Sequence, residues 1–203
     1  MQVIGLTGGI ATGKSTVCAI LKKAGAVIID ADRIARQVVK KGLPAYREIV
    51  KNFGESILLP DGEINRSVLG NIIFTEPKRK QLLNRIVHPH VRSEMDRRLN
   101  KLKNPTPDTI VVLDIPLLFE AGFDKDVDTV IVVYAPEQTQ IKRLMKRDNI
   151  SKTDAVARVQ SQMPIEEKKD RATIVIDNSG TIEDTRKQTL EILKALIHTP
   201  ASP

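Results

Sequence analysis

The chain has 203 residues, 32 Lys and Arg against 25 Asp and Glu, a net charge of +7 and a hydrophobic fraction of 41%. That is enough apolar material for one core with a smaller attached unit. Trp is absent and aromatic residues make up 3%, so the core is aliphatic and the stacking platforms used to bind single-stranded nucleic acid are missing.

Basic residues are spread along the chain without a polybasic tail, which points to small anionic molecules rather than nucleic acid as partners. The single cysteine, Cys18, excludes an intrachain disulfide and reads as a small buried hydrophobe beside Val17 and Leu21. No segment approaches the ~20 apolar residues of a membrane span, and the first residues carry no basic, signal-like region. The expectation is a protein of the reducing cytoplasm with no membrane partner.

The first element is the apolar run Val3–Thr7. It is continuous rather than alternating, as a strand buried on both faces should be. Gly8-x-x-x-x-Gly13-Lys14-Ser15 follows, within GLTGGIATGKSTV. Such a loop needs glycines because main-chain N–H groups must turn inward around phosphate oxygens. Lys14 carries charge to the β- and γ-phosphates, and Ser15 offers a hydroxyl to Mg²⁺. A helix over Lys14–Ala24 sets Val17, Ile20, Leu21 and Ala24 on one face, with Gly25 as its stop. Its positive end faces the anion.

The run Ala26–Asp30 leads into DADRIA. In open α/β sheets ligands lie beyond the carboxyl ends of the strands, which brings Asp30 and Asp32 beside the phosphate loop. Asp32 either orients and deprotonates an attacking hydroxyl or caps the helix that begins near Ile34. From Ile34 to Pro107 the pattern is helical and polar, broken by LPDGEINR and HPH, which suggests a helical unit over residues 34–107 inserted into the sheet. The run Thr109–Asp114 ends in an acid that either holds a Mg²⁺-bound water or closes the strand before Pro116.

After the run Asp128–Tyr134 comes Glu137–Arg171, helical and highly charged, which reads as a flap over the sheet edge. Arg143 and Arg147 share one helical face, as do Lys142 and Lys146. Like charges at that spacing cost about 0.2–0.5 kcal/mol unless an anion sits between them. Arg143 is the member expected to face transferring phosphate, whereas the lysines read as a solvated face. The last run, Ala172–Asp177, precedes a helix over Thr181–Ile197, opened by a Thr181/Asp184 capping pair. Its apolar face is expected to take Ile182, Leu190, Leu193 and Ile197. The tail, Thr199–Pro203, is expected to lack fixed structure. Strand and helix alternate, which predicts a parallel α/β sheet with right-handed crossovers. Its core comprises residues 1–33, 108–136 and 172–203.

The motifs GLTGGIATGKSTV, VIIDADRIA, DGEINR, HPHV, DIPLLFE, RLMKRD and IDNSG, in this order, closely resemble those of the dephospho-coenzyme A kinase family. The resemblance runs from about Val3 to Ile197. It implies a P-loop NTPase fold: a five-stranded parallel sheet flanked by helices, a helical substrate-binding insertion and a helical lid over residues 137–171. It also implies transfer of the γ-phosphoryl of ATP, with Mg²⁺, to the ribose 3′-hydroxyl of dephospho-coenzyme A. That reaction is the last step of coenzyme A biosynthesis.

Carried over by motif, Gly8, Ala11, Thr12, Gly13, Lys14, Ser15 and Thr16 hold the ATP phosphates. Asp32 is the base near the acceptor hydroxyl, Ser15 and Asp114 serve the metal, and Arg143 is a lid arginine near the phosphates. His88 and Pro89 match a substrate-domain pair in which His88 either contacts ligand or starts a helix. The chain departs from the family where Gly-Ser is common, having Ala11-Thr12, and where Ala-Asp often precedes the last strand, having Ala172-Thr173. A GTPase would need a guanine-reading NKxD, and Ser151-Lys152-Thr153-Asp154 follows a polar helical stretch instead of a buried strand. Another P-loop small-molecule kinase, such as a nucleoside monophosphate kinase, is the alternative that fold and loop alone leave open.

Overall fold

The computed structural model describes residues 1–102 and 104–198, so the expectation for the tail, Thr199–Pro203, lies outside the described residues. The strands are β1 (Gln2–Gly8), β2 (Val27–Asp30), β3 (Ile110–Asp114), β4 (Thr129–Tyr134) and β5 (Ile174–Asp177). The helices are α1 (Lys14–Lys23), α2 (Ala31–Val38), α3 (Pro44–Phe53), α4 (Arg66–Thr75), α5 (Pro77–Asn100), α6 (Glu137–Asp148), α7 (Lys152–Gln160), α8 (Ile165–Asp170) and α9 (Ile182–His198). Each apolar run of the sequence forms one strand. All pairings are parallel, in the order β2-β3-β1-β4-β5.

The chain divides into two compact units, Met1–Asp30 with Lys103–Pro203, and Ala31–Leu102. In the first, Val and Ile fill the pleated surface because β-branched side chains pack well there. Ile4, Leu6, Val112, Ile131 and Val133 form its core with Val17 and Leu21 of α1 and Leu193 and Leu196 of α9, and Cys18 packs against this cluster. Each large aliphatic buried there contributes about 1.5–3 kcal/mol. The register pairs Asp114 with Leu6 on one side and with Asp30 on the other. Both acids therefore stand at the strand ends from which the glycine loop departs.

The predicted capping pair opens α9: the Thr181 amide donates to the Asp184 carboxylate (3.1 Å), and the Asp184 amide donates to Thr181 Oγ1 (3.2 Å). The Thr181 hydroxyl, which donates to the same carboxylate at 2.6 Å, and then the Thr181 amide hold the Asp184 carboxyl below its ordinary value. Ile182, however, does not join the apolar face. It sits in the first turn and is 71% exposed, and the sheet-facing side is built by Ile192, Leu193, Leu196 and Ile197.

The second unit is helical, with a core of Ile49, Ile57, Ile64, Leu69 and Ile86. Within LPDGEINR, Ile64 bridges back to Leu58 and Asn65 caps α4, accepting from the amides of Ser67 and Val68 at 3.2 Å each. His88 does not start a helix: His88-Pro89-His90 lies inside the 24-residue α5. Pro89 removes only the bond its own amide would have made to the Arg85 carbonyl. The buried side chains Ile86, Val91 and Met95 carry the helix through on either side. Among the described residues no helix is long and apolar enough to cross a membrane.

Candidate active site

The first unit places the glycine loop at the end of its central strand, β1. Gly13 has φ 91°, and a Cβ there would fall 2.0 Å from the Asn178 side-chain nitrogen. At Gly8 a Cβ would meet the Val133 carbonyl oxygen at 2.7 Å. The loop thus needs glycine at Gly13 for its dihedrals and for close packing, and at Gly8 for close packing. Thr12 is buried, and its hydroxyl donates to the Gly9 carbonyl at 2.9 Å. Ala11 lies in the left-handed region with φ 60°, so its small size does not remove the cost of replacing glycine. No acidic residue occupies the first turn of α1, which leaves the helix's positive end open to an anion.

Lys14 Nζ makes an ion pair with the Asp114 carboxylate, each side chain 17% exposed. Burial first, then the charge of the same carboxylate, push the Cys18 thiol pKa up to about 11. A cysteine in that state is a proton donor and packing group rather than a nucleophile. Ser15 is exposed at the head of α1. Ser15 and Asp114 offer hard oxygens of the kind Mg²⁺ takes alongside phosphate oxygens and water. Among the described residues no group of three or more His, Cys, Asp or Glu could hold a metal unaided.

A residue not singled out in the sequence joins these pieces. The Asn178 side chain, 8% exposed, donates to the Thr12 carbonyl at 2.6 Å and accepts from the Thr185 hydroxyl at 2.6 Å. The Asn178 main-chain oxygen accepts from Arg143 Nη2 at 2.9 Å. Arg143, on α6, is thereby held beside the glycine loop. Together with Ala11, Thr16, Gly180 and Ile182 it lines a recess of about 270 Å³. Arg147 instead pairs with Asp148, which also binds Arg158, while Lys142 and Lys146 are exposed. Thr173 has a sheet-edge role: its hydroxyl accepts from the Val130 amide at 3.2 Å.

Asp32 lies in the first turn of α2, in the second unit. It borders a cavity of about 760 Å³ whose wall combines Arg36, Lys40 and Arg66 with Leu69, Ile73 and Leu83. His88 does not line that cavity; the neighbouring Val87 does. Burial, then the Arg92 charge, lowers the His88 pKa, so the imidazole is neutral near pH 7.

A five-stranded parallel sheet whose central strand runs through a glycine loop into a helix defines a P-loop nucleotide-binding protein. A gluconokinase from Sinorhizobium meliloti shares this fold at 15% identity, with a TM-score of 0.51 over 97% of this chain and 93% of its own. Sequence narrows the class. The family model for dephospho-CoA kinase matches residues 2–184, and the chain belongs to that family. The dephospho-CoA kinase of Carboxydothermus hydrogenoformans is 51% identical over 194 residues, 96% of this chain and 94% of the relative. Among solved structures, the dephospho-CoA kinase of Campylobacter jejuni is 31% identical with a TM-score of 0.71, covering 96% of each chain. A Thermus thermophilus crystal structure is 34% identical with a TM-score of 0.81, covering 96% of this chain and 97% of that one. These matches do not favour a nucleoside monophosphate kinase.

Proposed function

We propose that this chain transfers the γ-phosphoryl group of ATP to the ribose 3′-hydroxyl of dephospho-coenzyme A in the cytoplasm, releasing ADP and coenzyme A. The observation that carries this reading is the glycine cradle with Lys14, in a chain that matches the family over residues 2–184.

Gly8 and residues 11–16 hold the triphosphate through main-chain amides and the head of α1. Lys14 leaves Asp114 for the β- and γ-phosphates, which frees that carboxylate. Ser15 and Asp114 would then hold Mg²⁺, which supplies charge neutralisation between the phosphates. Arg143 is the lid arginine that neutralises charge on the transferring group. Asp32 takes the proton of the 3′-hydroxyl as its oxygen bonds to the γ-phosphorus. The bond to the bridging oxygen breaks, and the electron pair leaves with ADP.

In the 34–107 substrate unit, the cationic side of the 760 Å³ cavity suits the diphosphate of the acceptor, and the aliphatic side suits its pantetheine arm. Residues 137–171 form the lid over a core of 1–33, 108–136 and 172–203. Water exclusion by such a lid keeps ATP from simple hydrolysis.

The test is ADP release with dephospho-coenzyme A, AMP or adenosine as acceptor. Turnover that depends on dephospho-coenzyme A, nearly abolished in Lys14→Ala and much reduced in Asp32→Asn at similar ATP binding, is the expected result. Equal turnover with AMP overturns the acceptor assignment, and unimpaired Lys14→Ala overturns the loop assignment.

A further inference from the structure

The segment between α7 and α8 reaches into both loops of the nucleotide site, through contacts that the reaction scheme does not use. The Ile10 amide in the glycine loop donates to Gln162 Oε1 at 3.0 Å. One residue on, the Met163 amide donates to Glu120 Oε1 at 3.1 Å. Lys168 of α8 is fully buried, with Nζ 2.8 Å from that Glu120 oxygen and 3.1 Å from the Pro116 carbonyl. Pro116 and Glu120 belong to the loop that follows Asp114.

The Gly9–Ile10 peptide unit is therefore gripped from both sides. Its carbonyl receives the Thr12 amide at 3.3 Å and the Thr12 hydroxyl at 2.9 Å, while its N–H is taken by Gln162. The next residue is Ala11, at φ 60°. A non-glycine residue in the left-handed region persists only where its surroundings over-determine it. Thr12 is three residues away and moves with the loop. Gln162 is the distant member of the grip, and its own segment is fixed by an ion pair whose lysine is fully buried, so that loss of the partner charge is costly.

We propose that Gln162 is a positioning residue for the nucleotide. It fixes the orientation of the Gly9–Ile10 peptide, keeps the following amides turned toward the phosphates, and makes nucleotide affinity depend on where the α7–α8 segment sits. The part required is an acceptor at that reach, since Ile10 supplies the proton.

The inference rests on the nucleotide reading of the glycine loop and not on the acceptor's identity. The experiment compares wild type with Gln162→Met, which keeps length and loses the acceptor, and Gln162→Asn, which keeps polarity and withdraws it. Calorimetric titration with Mg²⁺-ADP, steady-state kinetics and thermal melting are measured for each. One lost hydrogen bond corresponds to a Kd for Mg²⁺-ADP and a KM for ATP raised about 3–10-fold. KM for dephospho-coenzyme A and the melting temperature stay near wild type. Should Gln162→Met fail to fold, Gln162→Asn carries the test, with the same direction expected. Unchanged nucleotide affinity in the folded variant overturns the proposal. So does a fall in which both KM values and the melting temperature move together, because that marks a purely structural contact. Failure of wild type itself to bind Mg²⁺-ADP strikes the loop assignment instead.

Discussion

The main-chain oxygen of Asn178 accepts a hydrogen bond from Arg143 at 2.9 Å, while the side chain of the same asparagine holds the Thr12 carbonyl at 2.6 Å. One residue after β5 thus ties the arginine of α6 to the glycine loop. Replacement by alanine leaves the Thr12 carbonyl without its buried partner, while the Thr185 hydroxyl keeps the Thr181 carbonyl at 3.1 Å, at a cost of about 1–3 kcal/mol. Asn178→Ala should therefore unfold at lower urea concentration and show a raised KM for ATP. Wild-type values for both would show that the loop holds its shape without this link.

Ala11 carries a strain that glycine would not. The left-handed conformation costs an L-residue about 1–2 kcal/mol, and glycine's greater unfolded-state entropy returns about 0.5–1 kcal/mol of that. Relief of strain is the larger effect. Ala11→Gly should stabilise the protein by roughly 0.5–1 kcal/mol, read from the denaturation midpoint at unchanged slope. An equal or less stable glycine variant would mean that the loop relaxes around Ala11.

The sheet was legible because its strands are buried on both faces, and a short, continuous Val/Ile run bounded by turn residues suits few elements besides a buried strand. The α9 cap was legible because Thr181 and Asp184 are three apart and act locally. Asn178 and Gln162 were not, because their partners lie 166 and 152 residues away, and no periodicity links such positions. The HPH stretch misled for a different reason. A proline usually marks a helix end, but here the apolar residues around Pro89 outweigh the single missing hydrogen bond. Ile182 fell at a suitable helical phase, yet in the first turn, beyond the reach of the core.

The Cys18 thiol gives a pH readout of the site. Its pKa is raised to about 11 by burial and by Asp114, so near pH 8 only about one molecule in a thousand carries the thiolate. Protonation is the favoured state below that value and is lost only as the pH rises through it. Alkylation by iodoacetamide, followed by mass spectrometry, should rise with pH with its inflection at about 11, where a free thiol has its inflection at ~8.5. Asp114→Asn, which removes the repelling carboxylate, should move the inflection down. An inflection in the wild-type profile at ~8.5, as for an ordinary thiol, would show that neither burial nor the Asp114 field acts on the thiol.

The Lys168–Glu120 pair separates anchoring from chemistry. Lys168 is fully buried while Glu120 keeps 24% of its side-chain exposure, so the two charges do not respond alike to loss of the partner. Lys168→Met leaves the Glu120 carboxylate and the Pro116 carbonyl short of a donor, although water can reach the carboxylate, and a loss of roughly 2–3 kcal/mol is expected. Glu120→Leu strands an ammonium with no solvent access and should cost more. The double variant removes both charges, and apolar replacement of a buried pair is often close to neutral. Its stability should therefore recover above either single variant, in a double-mutant cycle read by chemical denaturation. Additive losses would show that the two side chains act independently and that the α8 segment is held by its other contacts, such as Tyr134 with Glu166 at 2.7 Å.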